Sequence, residues 1–261
     1  MTSEQKNSVK LEGTPGYVDR PRLEILHIYD RKKPDQFWGT GIVETVYNDP
    51  ETDPIQDFYD EDRITIYFER ITGANNSRFY FTASHTYRKS PSLENLKEII
   101  SLTGGSIDVD NKLYRGQRIG TWMMNEIVKW AKQWPDAKVL PITLGYGQAD
   151  KENKERRNWF YEQFGIEFDY HNDQNEAGQS QSMKAAALKI IDSWDKTKGG
   201  NIIIQSCRDF MISMVDKNNQ LAKEKNILID KNEQLNRKID FFENNPIKTG
   251  IKQYIGRNYY R

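Results

Sequence analysis

Two stretches of this chain carry residue types that could do chemistry. Tyr114–Met123 reads YRGQRIGTWM, a basic, glycine-punctuated turn that runs into a helix-forming sequence. The first turn of a helix holds backbone N–H groups without intrahelical partners and the positive end of the helix dipole, so it accepts an anion. Gly116 and Gly120 would let the backbone bend and come close to a bulky group, and phosphate is the usual guest of such a turn. The turn lacks the Lys-Ser/Thr ending of a nucleoside-triphosphate loop, and it lacks the third glycine and downstream acid of a dinucleotide fingerprint. In the second stretch, NKERRNWFYEQFGIEF, Phe160 and Tyr161 sit on a helix that stops at Gly165 before a new strand.

Both stretches need elements to hold them. RLEILHIYD reads as a strand with Leu23, Ile25 and His27 on one face, and GTGIVETVYN supplies a second apolar run. In RITIYFERITGANNSRFYFTASHTY, two period-2 runs rich in aromatic and β-branched residues flank a turn sequence, which predicts an antiparallel hairpin. SLENLKEIISLTGG predicts a short helix with Ser92 as N-cap and Gly104 as stop, and SIDVD a brief strand feeding the turn. Beyond the turn, Met123, Met124, Ile127, Val128 and Ala131 recur at helical spacing until Pro135. AKVLPITLGY predicts a strand, Asp150 a cap for the helix carrying Tyr161, IEFDY a strand, and QSQSMKAAALKII a strand passing into a helix. Strands and helices alternate through the second half, so the class is a mixed α/β or α+β sheet.

Composition narrows the function. Charged residues make up 29% and hydrophobic residues 36%, so long polar segments must lie outside the core. Lys plus Arg number 38, as do Asp plus Glu, so bulk charge predicts attraction to neither nucleic acid nor membrane. Cys207 is the only cysteine, which excludes an intrachain disulfide framework. No run approaches about 20 apolar residues, and the N-terminal sequence lacks an apolar signal core, so the expectation is a cytoplasmic protein without a membrane span.

Together the two stretches resemble the GNAT superfamily of N-acetyltransferases. Its first motif has the form Q/R-x-x-G-x-G/A after the fourth strand, and its second ends a helix with an FYxxxGF-like sequence. Arg115 matches the leading position and Gly120 the last glycine, while FYEQFGI matches the second motif with Ile166 for the usual Phe. SMKAA looks like the family's final strand. The resemblance covers roughly residues 20 to 188, and Arg118 stands where the family carries its middle glycine.

The resemblance implies an α+β fold, a GNAT-like mixed, mostly antiparallel splayed sheet flanked by helices, with acetyl-CoA as acyl donor and direct attack by an amine. Backbone amides of Gln117, Arg118, Gly120 and Thr121 would hold the pyrophosphate, beside Arg115 and Gly116. Ile107 and Val109 would pair with the pantetheine arm as another strand would. Asn153 would reach the pantetheine or the phosphates, and Tyr161 would be the general acid that protonates the departing thiolate. Amine attack needs a neutral nucleophile, so a base is expected near it. Asp108 is the first choice because it alternates with Ile107 and Val109, with Asp110, Glu44 and His85 as the other candidates. In the family the segment between the first two strands walls the acceptor site; assigning the acidic ETDPIQDFYDED there predicts a cationic acceptor.

The last quarter of the chain changes character. Met214, Leu221, Leu228, Leu235 and Phe242 recur every seventh residue, as d positions whose a positions are Met211, Asn218, Lys225, Asn232 and Ile239. This pattern predicts a parallel homodimeric coiled coil through about Ile202 to Glu243, ended by NNP. The tail IKTGIKQYIGRNYYR interleaves basic residues with tyrosines, which suits contact with phosphates and stacking on bases of a nucleic acid, or a protein partner. The expected organisation is a flexible lead at 1–18, an acyltransferase domain at 19–198, a coiled coil at 199–245 and a basic aromatic tail at 246–261. The competing expectation is a GNAT-like dimer whose altered turn no longer supports turnover and which serves as a binding module.

Overall fold

Alternating sequence in the first third becomes four long strands: β1 (Arg22–Tyr29), β2 (Phe37–Asn48), β3 (Tyr59–Arg70) and β4 (Arg78–Arg88). The structure, a computed structural model, describes residues 22–48, 59–72, 78–88, 98–103, 114–149, 153–245, 250–251 and 254. Further along come β5 (Ile99–Ser101), α1 (Ile119–Ala131), β6 (Lys138–Val139) and β7 (Thr143–Leu144). They are followed by α2 (Lys154–Glu162), β8 (Phe168–Tyr170), β9 (Gly178–Ser180), β10 (Met183–Lys184), β11 (Ile202–Ser206) and α3 (Cys207–Asn244).

Among the described residues, eight strands form one sheet in the order β10-β6-β5-β4-β3-β2-β1-β11, and β7-β9-β8 form a second. All neighbours pair antiparallel except β5 and β6, which run parallel with α1 between them in the chain. The α+β class with a mixed, mostly antiparallel sheet is as expected. The predicted hairpin is β3–β4, in register so that the Thr65 and Thr82 hydroxyls lie 3.2 Å apart.

One face of this sheet carries the core. Val43, Ile64, Ile66, Phe68, Phe81 and Ala83 alternate inward, and α1 covers them with Ile119, Trp122, Met123, Ile127 and Val128. Gly41 belongs to this arrangement, because a Cβ there would stand 2.3 Å from the Phe68 ring.

Several expectations change. Ile99–Ser101 form β5 rather than part of a helix: these β-branched residues pair with β4 on one side and β6 on the other. AKVLPITLGY breaks into β6 and β7, in different sheets, around Pro141, which cannot donate to a ladder. The segment after β10 makes one 3-10 turn, Ala185–Ala187, not an α-helix, because its amides are drawn elsewhere. Ala185 N–H donates to Ala137, Ala186 N–H to Pro135 and Lys189 N–H to Phe164. SIDVD and Asp150 lie outside the described residues, as do Ser92 and Gly104.

The chain divides into two units, Met1–Cys207 and Arg208–Arg261. The boundary expected at 198 therefore moves. Ile202–Ser206, assigned by sequence to the coil, is β11 and pairs antiparallel with β1, as a run of three isoleucines favours. Among the described residues, the second unit holds α3 from Arg208 onward, Asn245 and, from the tail, Gly250, Ile251 and Tyr254. Among the described residues, no helix is long and apolar enough to cross a membrane.

Candidate active site

The glycine turn is anchored by Tyr114. Its ring is buried, with centroids 5.6 Å from Trp38, 6.0 Å from Phe68 and 5.8 Å from Phe79. Strands β2, β3 and β4 thus fix where the turn begins. Gly116 has φ 82°, a left-handed conformation that glycine adopts without steric cost, and a Cβ there would meet nothing within 4 Å. Among the described residues, nothing covers the outer side of the turn at Gly116. Gln117 N–H turns back to the Tyr114 carbonyl at 3.4 Å, so this amide is directed into the turn.

Arg118 occupies the N-cap of α1 at φ 59°, ψ 10°. The position at which the family motif carries glycine keeps a backbone that favours glycine, at a cost of roughly 1–2 kcal/mol for any other residue. The first intrahelical bond runs from Trp122 N–H to Arg118 O at 2.9 Å. The amides of Ile119, Gly120 and Thr121 therefore precede the ladder, as helix N-termini require.

The Arg118 guanidinium donates to the Ser193 carbonyl. Burial lowers its pKa from the ordinary value, and the nearby Arg31 guanidinium lowers it further. Positive charge thus collects around Arg118 at the start of α1. Asn201, 2% exposed, braces the turn: its Nδ2 donates to Tyr29 O at 2.9 Å and Gln117 O at 3.1 Å. Gly200 permits this, since a Cβ there would overlap the Trp194 carbonyl at 2.2 Å. Sequence reasoning missed Arg31, Ser193 and Asn201. The basic run after β1, RKK, and the GGN before β11 were the available signals.

On α2, Asn153 occupies the N-cap position. Its Nδ2 donates to Gln148 O at 2.8 Å and its Oδ1 accepts from Arg156, so the side chain ties down the preceding loop. Arg157, buried, donates to Gly145 O at 3.0 Å, Glu176 O at 2.8 Å and Asn158 Oδ1 at 3.0 Å. It sews α2 to segments flanking the second sheet. One turn on, Tyr161 is 8% exposed, with its ring 5.1 Å from Phe160 and 5.6 Å from Phe168. Burial pushes its hydroxyl up to about 12, against the opposing effect of Arg157. At neutral pH it is a protonated donor.

The two stretches meet at Gly120. A Cβ on this residue would stand 3.4 Å from Phe81 Cζ and 3.8 Å from Phe160 Cε2. The first turn of α1 and the aromatic pair of α2 are therefore neighbours. Arg115, half-buried, leads into the turn. Ile107, Asp108, Val109 and Asp110 lie outside the described residues.

The other base candidates sit elsewhere. Glu44 lies on the sheet face opposite Val43 and α1, with its Oε2 3.2 Å from an Arg78 guanidinium nitrogen. His85, 1% exposed, stacks on Trp134 with centroids 4.0 Å apart, and its Nδ1 is 3.6 Å from Asp62 Oδ2. Trp134 follows the C-terminus of α1, whose 13 residues rise about 20 Å, so His85 is at the far end of that helix from the turn.

Asp62 also corrects the acceptor wall. The acidic run follows β2 and its last four residues, Tyr59–Asp62, open β3, so it does not lie between the first two strands, and Asp62 is buried against His85. The connection between β1 and β2 instead carries Arg31, Lys32 and Lys33. Among the described residues, no group of His, Cys, Asp and Glu could hold a metal ion. Comparison with protein-family models, with curated proteins and with solved structures finds no match to this chain.

Proposed function

We propose that the first unit is an N-acyltransferase of the GNAT type that moves an acetyl group from acetyl-CoA to an amine. The observation that carries this reading is the packing of Gly120 beside Phe160, which sets an open, cation-edged helix N-terminus next to the helix of a buried, protonated tyrosine. Acetyl-CoA would supply the thioester. Its fit rests on the three amides ahead of the α1 ladder and on the open space outside Gly116.

Each residue then has a physical task. The amides of Ile119, Gly120 and Thr121, with the helix dipole behind them, attract the pyrophosphate. Arg118 and Arg31 add positive charge at the start of α1, which suits the donor's phosphates better than a cationic acceptor. Tyr161 holds a proton at its hydroxyl and presents it to sulfur as the C–S bond breaks. A thiol of ordinary pKa about 8.5 is the stronger acid by about 3.5 units, so full transfer from Tyr161 alone would be uphill. The tyrosine hydroxyl would therefore stabilise the developing negative charge on sulfur as a hydrogen-bond donor and keep its own proton, while the proton shed by the attacking nitrogen would pass through solvent to the leaving thiolate. The left-handed backbone kept at Arg118 favours turnover over the binding-module reading, since the turn retains its shape despite the substitution.

Calorimetric titration of the full chain with acetyl-CoA tests the proposal, followed by a thiol-release assay across a panel of amines. Binding in the micromolar range with amine-dependent thiol release is expected. Absence of binding at millimolar acetyl-CoA would end the enzyme reading.

A further inference from the structure

Helix α3 runs for 38 residues and none of them is buried. At 1.5 Å per residue it rises about 57 Å. The row Met214, Leu221, Leu228, Leu235 and Phe242 stands between 49% and 65% exposed. Its internal pairs, Gln220 with Glu224 and Arg237 with Glu233, are exposed contacts of the kind that stabilise a helix only weakly. An apolar row of this length calls for an occupant.

The same row contains one more residue. Cys207, the first residue of α3, lies seven positions before Met214 and so is the first member of the d series. We propose that the occupant is a second copy of this chain, in a parallel, in-register, two-stranded coiled coil whose first d layer is the pair of Cys207 residues.

The polar a positions choose both the occupant and its direction. In an in-register parallel coil, Asn218 and Asn232 each face their own counterpart, and a carboxamide, being donor and acceptor at once, is its own complement. An antiparallel coil sets a against d, which would press Asn218, Lys225 and Asn232 against leucines and leave their polar groups unmet. Lys225 sits beside the g position that precedes it on the facing helix, and that residue is a glutamate, the partner's Glu224. Lys238 at g faces the e position five residues on, the partner's Glu243. A foreign helix would need this same order of polar layers and charges, whereas a second copy has it by construction. Asparagine at a also favours two strands over three. This assembly stands independently of the acyl-transfer reading.

The single cysteine makes the test direct. The full chain is sedimented, then treated with copper(II)–phenanthroline, which takes two electrons from a facing pair of thiols as they form a disulfide and release two protons. The expected result is a mass near twice the 30.6 kDa chain and a covalent dimer that forms in the wild type but not in Cys207→Ser. Leu235→Cys in the Cys207→Ser background should also link, because it forms a later layer of the same row. A monomer or trimer by sedimentation would overturn the proposal. So would a dimer that fails to link at Leu235→Cys, the result of an antiparallel pairing, and linkage at 235 without linkage at 207 would remove Cys207 from the coil.

Discussion

Gly120 in the first turn of α1 packs against Phe160 of α2, with 3.8 Å between the place of a Cβ and the phenyl ring. The contact joins two stretches forty residues apart in sequence. Its tightness sets a graded expectation. Gly120→Ala adds a methyl at ordinary contact distance from Phe81 and Phe160, and replaces glycine in a helix, so stability should hold or rise by up to about 1 kcal/mol. Gly120→Leu must displace both rings, and overpacking of that kind costs about 1–3 kcal/mol. Urea denaturation of the two variants reads this directly. Equal stability for Ala and Leu would mean that the two helices do not pack here.

Arg118 offers a test of backbone strain. Both Arg118→Gly and Arg118→Ala remove the guanidinium bond to Ser193, so they differ only at the left-handed backbone. Glycine accepts that conformation and alanine does not, so the glycine variant should be the more stable by about 1 kcal/mol. This order is the reverse of ordinary helix propensity. Denaturant midpoints that place Ala above Gly would show that the turn does not hold a left-handed residue at 118.

Tyr161 has a pKa raised to about 12 by burial, which makes alkaline stability a measurable quantity. The folded protein keeps its proton when the unfolded chain, at about 10, has lost it. The contribution is therefore full below about pH 10 and disappears as pH rises through about 12, a difference of roughly 3 kcal/mol. Tyr161→Phe has no such titration. Its stability should fall less steeply than that of the wild type across this window, while in the acyl-transfer assay kcat drops about 100-fold with acetyl-CoA affinity retained. A pH dependence identical in both proteins would place the phenol in solvent.

The Arg31 guanidinium lies close enough to Arg118 to lower the pKa of Arg118. If they add to an anion site, Arg31→Ala should weaken acetyl-CoA binding about threefold at low salt and have less effect as salt is added. An unchanged affinity at low ionic strength would exclude Arg31 from the site.

What could be read from sequence follows from how local the cause is. The β3–β4 hairpin and α1 were legible because alternation and helical spacing lie within single elements. Ile99 and Ile100 misled, since their spacing in SLENLKEII suits a helix while strand pairing on both flanks decides the outcome. Ile202–Ser206 misled likewise: the heptad row was extended backward over residues that β1 recruits as an edge strand. The glycine turn was visible, but its supports were not. Ser193 and Asn201 lie more than seventy residues away in sequence and act through a carbonyl and a carboxamide that no local pattern marks. The acidic run was mislocated by one strand, and only the register of Asp62 against His85 shows where it belongs.

Arg157 links the fold to the chemistry, since it bonds α2 to the segments flanking the second sheet and acts on Tyr161. Its guanidinium spans Gly145 O and Glu176 O, a reach that a lysine ammonium, which has no planar fork, does not reproduce. Arg157→Lys should therefore destabilise the first unit by about 2–3 kcal/mol, from lost charge-assisted bonds at a buried site. Arg157 also opposes the effect of burial on Tyr161, holding the phenol lower than burial alone would set it. Arg157→Leu should push the Tyr161 titration further upward. Ultraviolet difference titration against Tyr161→Phe isolates that single phenol in each background. A Tyr161 titration that moves downward on loss of Arg157 would contradict the electrostatic sign and detach the arginine from the tyrosine.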